Sequence, residues 1–132
     1  MNDYTSSMGR AVFLAIFTAL ILKLFVFDFI LADGNSMSPT IHSGTILVIN
    51  KLQYGFRFPG RQNYLIRWAS PRPGELIVFY TPAGDLVVKR CEELIDHDTF
   101  IARGDNERYS YDSRSYGQIP LDNIIGKVLG IR

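Results

Sequence analysis

Two side chains in this sequence can form a hydrolytic pair. Ser36 lies in Gly34-Asn35-Ser36-Met37-Ser38-Pro39-Thr40, and Lys89 ends Leu86-Val87-Val88-Lys89. A serine hydroxyl is a poor nucleophile until a base takes its proton. A lysine amine can be that base only if an apolar setting lowers its pKa from about 10.4 toward neutrality. Pro39 restrains its own φ and biases Ser38 toward extended backbone, so the hydroxyl of Ser36 sits next to a stiffened segment. An ordinary turn has the same composition. Strand alternation puts Lys89 on the face of Val87, but the local sequence alone equally describes a surface lysine at a strand end.

Other chemistries find less support. His42 and His97 have no partners at metal-ligand spacing. A Ser-His-Asp triad is not excluded by counting, yet no spacing marks His42, six residues from Ser36, as a base. There is no phosphate-cradling glycine loop. Cys91 is the only cysteine, which rules out an intrachain disulfide or a cysteine metal cluster and fits a small buried hydrophobe. The net charge of +1 gives no electrostatic reason to expect a nucleic-acid partner. No cofactor and no metal are expected.

The elements that must position the pair follow from the apolar pattern. Ala11 to Leu31 is apolar except for Thr18, Lys23 and Asp28. Roughly 20 such residues cross a bilayer as a helix, and Lys23 lies far enough along to snorkel. A cleaved signal peptide would need small residues before a cut, and Ile30-Leu31-Ala32 supplies one. The expected organisation is a short unordered tail (1–9), a transmembrane anchor (10–31) and a β domain (32–132). Arg10 before the span leans toward an N-terminus in the cytoplasm.

Beyond the anchor, β-rich runs occur at Thr45–Ile49, Glu75–Tyr80, Leu86–Cys91, Thr99–Ala102 and Ile124–Val128, separated by turns such as Pro71-Arg72-Pro73-Gly74 and Pro82-Ala83-Gly84-Asp85. Tyr54 to Trp68 mixes aromatics with Arg57, Arg61 and Arg67. A membrane interface, an ordinary hairpin and single-stranded nucleic acid all suit that composition, and the neighbouring span favours the first. Gly104 to Pro120 is long for a loop in so small a domain, and such loops are usually functional. The fold class is mainly β: a small antiparallel β domain with one N-terminal transmembrane helix.

Three segments together resemble the type I signal peptidases. Ser36-Met37-Ser38-Pro39-Thr40 is similar to their nucleophile box, and Val88-Lys89-Arg90 to their lysine box. Gly104-Asp105-Asn106, followed by Ser110-Tyr111-Asp112-Ser113-Arg114, is similar to their most distinctive box. All three stand in the family's order behind an apolar span. The resemblance implies a signal-peptidase-type β domain that removes signal peptides from exported precursors, cutting after an Ala-x-Ala-like sequence. Ser36 would be the nucleophile and Lys89 the general base. Ser110 would hydrogen-bond the lysine ammonium, and Asp112 and Arg114 would pair and brace their loop. The Ser36 N–H would serve the oxyanion. Some relatives carry a serine where this chain has Gly34, so a second donor is expected from the main chain. Val87 and Val88 would offer a strand edge to the substrate. The chain would sit in the cytoplasmic membrane with its catalytic domain on the outer face, in contact with the lipid bilayer.

Some positions depart from the family pattern. Glu107 stands where Arg is frequent, with Arg108 next to it. Gly44-Thr45 replaces a common Gly-Asp, and Asp33 lies where proline is frequent. Two other functions fit the same residues: a processing peptidase for a narrow substrate such as a pilin-like precursor, and a catalytically silent, membrane-tethered module that only binds extended peptides. For Arg90, pairing with Asp105 and a solvated strand end are both open.

Overall fold

The computed structural model describes residues 2–131. It opens with helix α1 (Asn2–Phe25), followed at once by strand β1 (Phe27–Leu31). Both ends of the apolar run differ from expectation. The helix begins inside the stretch expected as an unordered tail, of which Met1 lies outside the described residues. It stops six residues before Leu31. Apolarity marks the part of a helix that can face lipid, not where its hydrogen bonds begin, so polar residues extend α1 at its start. At the other end, Phe-Asp-Phe-Ile-Leu is rich in aromatic and β-branched residues and pairs antiparallel over its full length with β2 (Ile46–Asn50). Within α1, Ser6–Phe25 is long and apolar enough to cross a membrane, and none of it is buried against the rest of the chain.

The Tyr54–Trp68 stretch forms a small hairpin, β3 (Gly55–Phe56) with β4 (Ile66–Arg67). Then come β5 (Leu76–Tyr80), β6 (Leu86–Leu94), β7 (Thr99–Arg103), a one-turn helix α2 (Ser113–Tyr116), β8 (Ile119–Pro120) and β9 (Ile124–Ile131). Seven of the strands make one antiparallel sheet in the order β1-β2-β9-β5-β6-β7-β8.

The sheet is covered on both faces along its middle, which explains why β5 reads as an unbroken apolar run. Ile77 and Phe79 enter one core cluster with Tyr54, Phe100 and Ile124. Val78, between them, enters a second cluster with Met37, Ile41, Leu47 and Ile49. Phe79 and Phe100 meet edge to face at 5.3 Å, a geometry that adds roughly 1 kcal/mol beyond area burial. Cys91 lies in the first cluster, fully buried.

Helix α1 is tied to this domain at its C-terminal end. Lys51 Nζ donates to the carbonyl of Leu24 at 3.0 Å, and the Lys51 N–H donates to Val26. Phe25 stacks on Phe56 at 5.8 Å. A lysine is well placed at a helix C-terminus, where the last carbonyls are unpaired and the dipole is negative.

Candidate active site

Ser36 stands in the tight connection between β1 and β2. Met37 and Ile41, both 2% exposed, anchor that connection in the second core cluster. Backbone bonds from Ser38 to Asn35 and from Ile41 to Met37 close it, and the Ser38–Pro39 peptide is cis. The Ser36 carbonyl accepts from Asn106 N–H at 2.9 Å. The Ser36 N–H has no acceptor among the described residues, so it is available to a ligand oxygen. Gly34, at φ +83°, donates its own N–H to Asp33 Oδ1 at 2.8 Å. The second main-chain donor expected at this position is therefore engaged, because the residue before it is an aspartate that caps it.

Lys89 comes from β6, where its cross-strand partner is the fully buried Ile77. The lysine is only 4% exposed, and its Nζ lies 2.6 Å from Ser36 Oγ. Burial pushes the amine's pKa down from the usual lysine value, and the nearby Asp112 carboxylate partly opposes this. The turn serine and the strand lysine, each ambiguous in sequence, are thus hydrogen-bonded to each other across 53 residues of chain.

The loop after β7 holds both in place. Asp112 is fully buried. Its Oδ2 accepts from Gly104 N–H at 2.9 Å, Ser110 Oγ at 2.6 Å and Arg114 Nη2 at 2.8 Å, and its Oδ1 accepts from the N–H and Nε of Arg114. Burial alone would raise the Asp112 pKa, but these donors outweigh it and hold the carboxyl well below the usual carboxylate range. Asp112 and Arg114 are therefore paired, whereas Ser110 differs from expectation. Its hydroxyl donates to Asp112, and no hydrogen bond joins it to Lys89 among the described residues. A charged, desolvated carboxylate two residues away is a strong acceptor for the single hydroxyl proton, and only the Ser110 lone pairs remain to accept from a lysine ammonium.

Asp105 is the second brace. It takes a bidentate pair from Arg90, at 2.9 and 2.7 Å, and a 2.6 Å bond from Thr40 Oγ1. Hydrogen bonds from Arg90 hold the Asp105 carboxyl below its ordinary range against the opposite pull of burial. This decides the open alternative for Arg90, and it ties the strand next to Lys89 to the segment just past Ser36. The parts played by Thr40 and by the Asn106 N–H were not read from the sequence. The Gly-Asp-Asn spacing was their only signal, and a backbone donor leaves none.

A groove of about 150 Å³ runs from the Ser36–Lys89 pair between Ile30–Asp33 and Leu86–Lys89. Three strands of the sheet separate these segments, so the sheet curls to bring them together. Both present unpaired edges. β1 ends the sheet, and β7 pairs with β6 only from Arg90 onward, leaving Leu86–Lys89 without a neighbour on that side among the described residues. Val87 and Val88 line the groove, and Ala32, Leu47 and Val78, which the sequence did not single out, complete it.

A family model described as signal peptidase, peptidase S26, matches residues 5–94 and 88–131. The chain belongs to that family. Among its relatives in the signal peptidase family, a signal peptidase I of Pseudomonas aeruginosa is 28% identical over 92% of this chain and 42% of its own length. One of Pseudomonas fluorescens is 30% identical over 92% of this chain and 40% of its own length. One of Bacillus caldolyticus is 25% identical over 88% of this chain and 85% of its own length. The chain thus spans about two fifths of the length of the two Pseudomonas relatives. An antiparallel β domain behind one apolar helix is the architecture expected from the resemblance.

Proposed function

We propose that this chain is a membrane-anchored serine endopeptidase that removes signal peptides from exported precursors. The observation that carries this reading is the 2.6 Å contact between Lys89 Nζ and Ser36 Oγ at one end of a groove between two free strand edges. With Lys89 neutral, the Ser36 hydroxyl donates to the amine and passes its proton as Oγ attacks the scissile carbonyl. The Ser36 N–H donates to the developing oxyanion. One such donor is worth about 3 kcal/mol. The lysine then protonates the leaving amine, and water, deprotonated by the same lysine, releases the acyl group from Ser36.

An extended precursor segment would add a strand between Ile30–Asp33 and Leu86–Lys89, where main-chain bonds give affinity and side-chain pockets give selection. The groove walls formed by Ala32, Leu47, Val78 and Val88 leave space for small side chains, in keeping with an Ala-x-Ala-like cut site. Ser110 would act as a positioning residue through Asp112. The Ser6–Phe25 helix would be the anchor, with residues 32–132 as the catalytic domain on the outer face of the cytoplasmic membrane. This narrows the anchor from its expected 10–31 span.

The test incubates the full chain in micelles with a panel of precursors and reads the cut sites by mass spectrometry. Cleavage after small residues by the wild type, lost in Ser36→Ala, supports the reading. A panel left intact by the wild type, or cut equally by Ser36→Ala, overturns it.

A further inference from the structure

A second cavity, of about 430 Å³, lies at the foot of α1 and takes no part in the chemistry above. Leu24, Phe25 and Phe29 supply apolar walls, and Lys51, Arg57 and Arg61 supply positive charge. Among the described residues Asp28 is the only carboxylate lining it, and Lys51 lies 3.5 Å from Asp28. Arg57 has the Asp122 carboxylate near it, outside the cavity lining, whereas Arg61 forms no ion pair among the described residues. Arg57 is covered by the hairpin, with its guanidinium carbon 4.2 Å from the centre of the Tyr64 ring, and its Nε and Nη2 have no acceptor among the described residues. Arg61 is exposed to solvent. Around the cavity the apolar surface continues outward: Phe29 is 64% exposed and Phe58 49%.

Ser6–Phe25 is 20 residues long, which at about 1.5 Å per residue is roughly 30 Å, the thickness of a bilayer's hydrocarbon core. A cavity lined by the last two residues of that span and by Asp28, Lys51 and Arg61 beyond it then lies at the boundary between the hydrocarbon core and the headgroup layer. We propose that it binds the phosphodiester of an anionic phospholipid, with Arg57 and Arg61 facing the phosphate and the acyl chains lying along Phe29 and Phe58. This rests on α1 being the membrane anchor. Ile30 and Leu86 line both this cavity and the groove, so a bound lipid would lie directly behind the groove wall.

The experiment is native mass spectrometry of the full chain released from neutral detergent, with phosphatidylglycerol, phosphatidylcholine or diacylglycerol added. The expected result is one retained phosphatidylglycerol, preferred over the other two. Retention should fall by about fivefold for each arginine removed, in Arg61→Gln and in Arg57→Gln/Arg61→Gln. Arg61→Gln alters only an exposed side chain and guards against a folding defect in the double variant. Equal retention of the three lipids, unchanged retention in Arg61→Gln, or displacement of phosphatidylglycerol by a peptide copying the segment upstream of a precursor cut would each overturn the proposal. The last result would assign the cavity to substrate. Because retention is read without cleavage, its failure is separate from failure of the peptidase reading. A chain recovered from cells without membranes would instead refute the anchor.

Discussion

Gly104 is the tightest point of the assembly around Ser36, and replacing it with alanine is the most informative single change. A β-carbon there would collide with the Ser110 hydroxyl, and it would come within 2.5 Å of both Ser110 Cβ and the Ser36 carbonyl oxygen. Ordinary contact begins near 3.4 Å, so the loop and the Ser36 turn must separate by nearly an ångström. Overpacking of this kind costs about 1–3 kcal/mol, which for a domain of this size lowers the melting temperature by roughly 4–12 °C. A displacement of about 1 Å in a catalytic group costs on the order of a hundredfold in rate. The assay pairs a thermal melt with precursor cleavage kinetics. Gly104→Ala should melt lower and lose most of its kcat. Gly130→Ala, whose added carbon has nothing within 4 Å, should match the wild type in both. Adding Ser110→Gly to Gly104→Ala removes two of the three collisions and should recover part of the melting temperature. Gly104→Ala with cleavage within threefold of wild type would refute the claim that this loop sets the position of Ser36.

Three more outcomes follow from the same geometry. Lys89 must be neutral to act as base, so the cleavage rate should rise with pH through a value below the 10.5 of free lysine; a pH–rate profile with no such limb would contradict the role. Between its folded value and 10.5 the unfolded chain holds more protons at this lysine, so stability rises with pH there. Lys89→Met should consequently raise the melting temperature most at low pH, by a gain that shrinks toward pH 10.5. Asp105 and Asp112 are both held below their ordinary 3.8. Their stabilisation is present above that value and is lost as pH falls below it, which an acid titration followed by circular dichroism should show. Asp112→Ala should reduce this acid sensitivity and cost about 2 kcal/mol or more, since the buried Gly104 N–H loses its acceptor. Finally, Ala32→Leu should fill the groove and raise KM for precursors, and because Ala32 is buried in the second core cluster it should also lower the melting temperature by a few degrees; an unchanged KM would remove the groove from substrate binding.

Much of this was legible in the sequence, for physical reasons that differ by element. The strands announced themselves because β-branched and aromatic runs sit between glycine and proline turns. The end of the helix did not. Leu24-Phe25-Val26-Phe27 is apolar throughout, and only pairing with β2, a tertiary effect, turns the chain into a strand at Phe27. Ser36 and Lys89 were ambiguous locally, because a turn serine and a strand-end lysine carry no mark of their environment. Ile77 opposite Lys89, and Met37 and Ile41 beneath Ser36, make the difference. Ser110 shows the limit most clearly. Its proximity to the site was foreseeable from the motif, but its acceptor was not, because the sequence does not show that Asp112 is buried with its oxygens turned toward the Ser110 hydroxyl.

The central claim is that Lys89 activates Ser36. It is tested most directly by incubating the full chain with a β-lactam-type acylator and mapping the adduct by mass spectrometry. A single acyl adduct is expected on the peptide carrying Ser36 in the wild type, and none in a folded Lys89→Met variant. An adduct at Ser36 forming at the wild-type rate in Lys89→Met would contradict it.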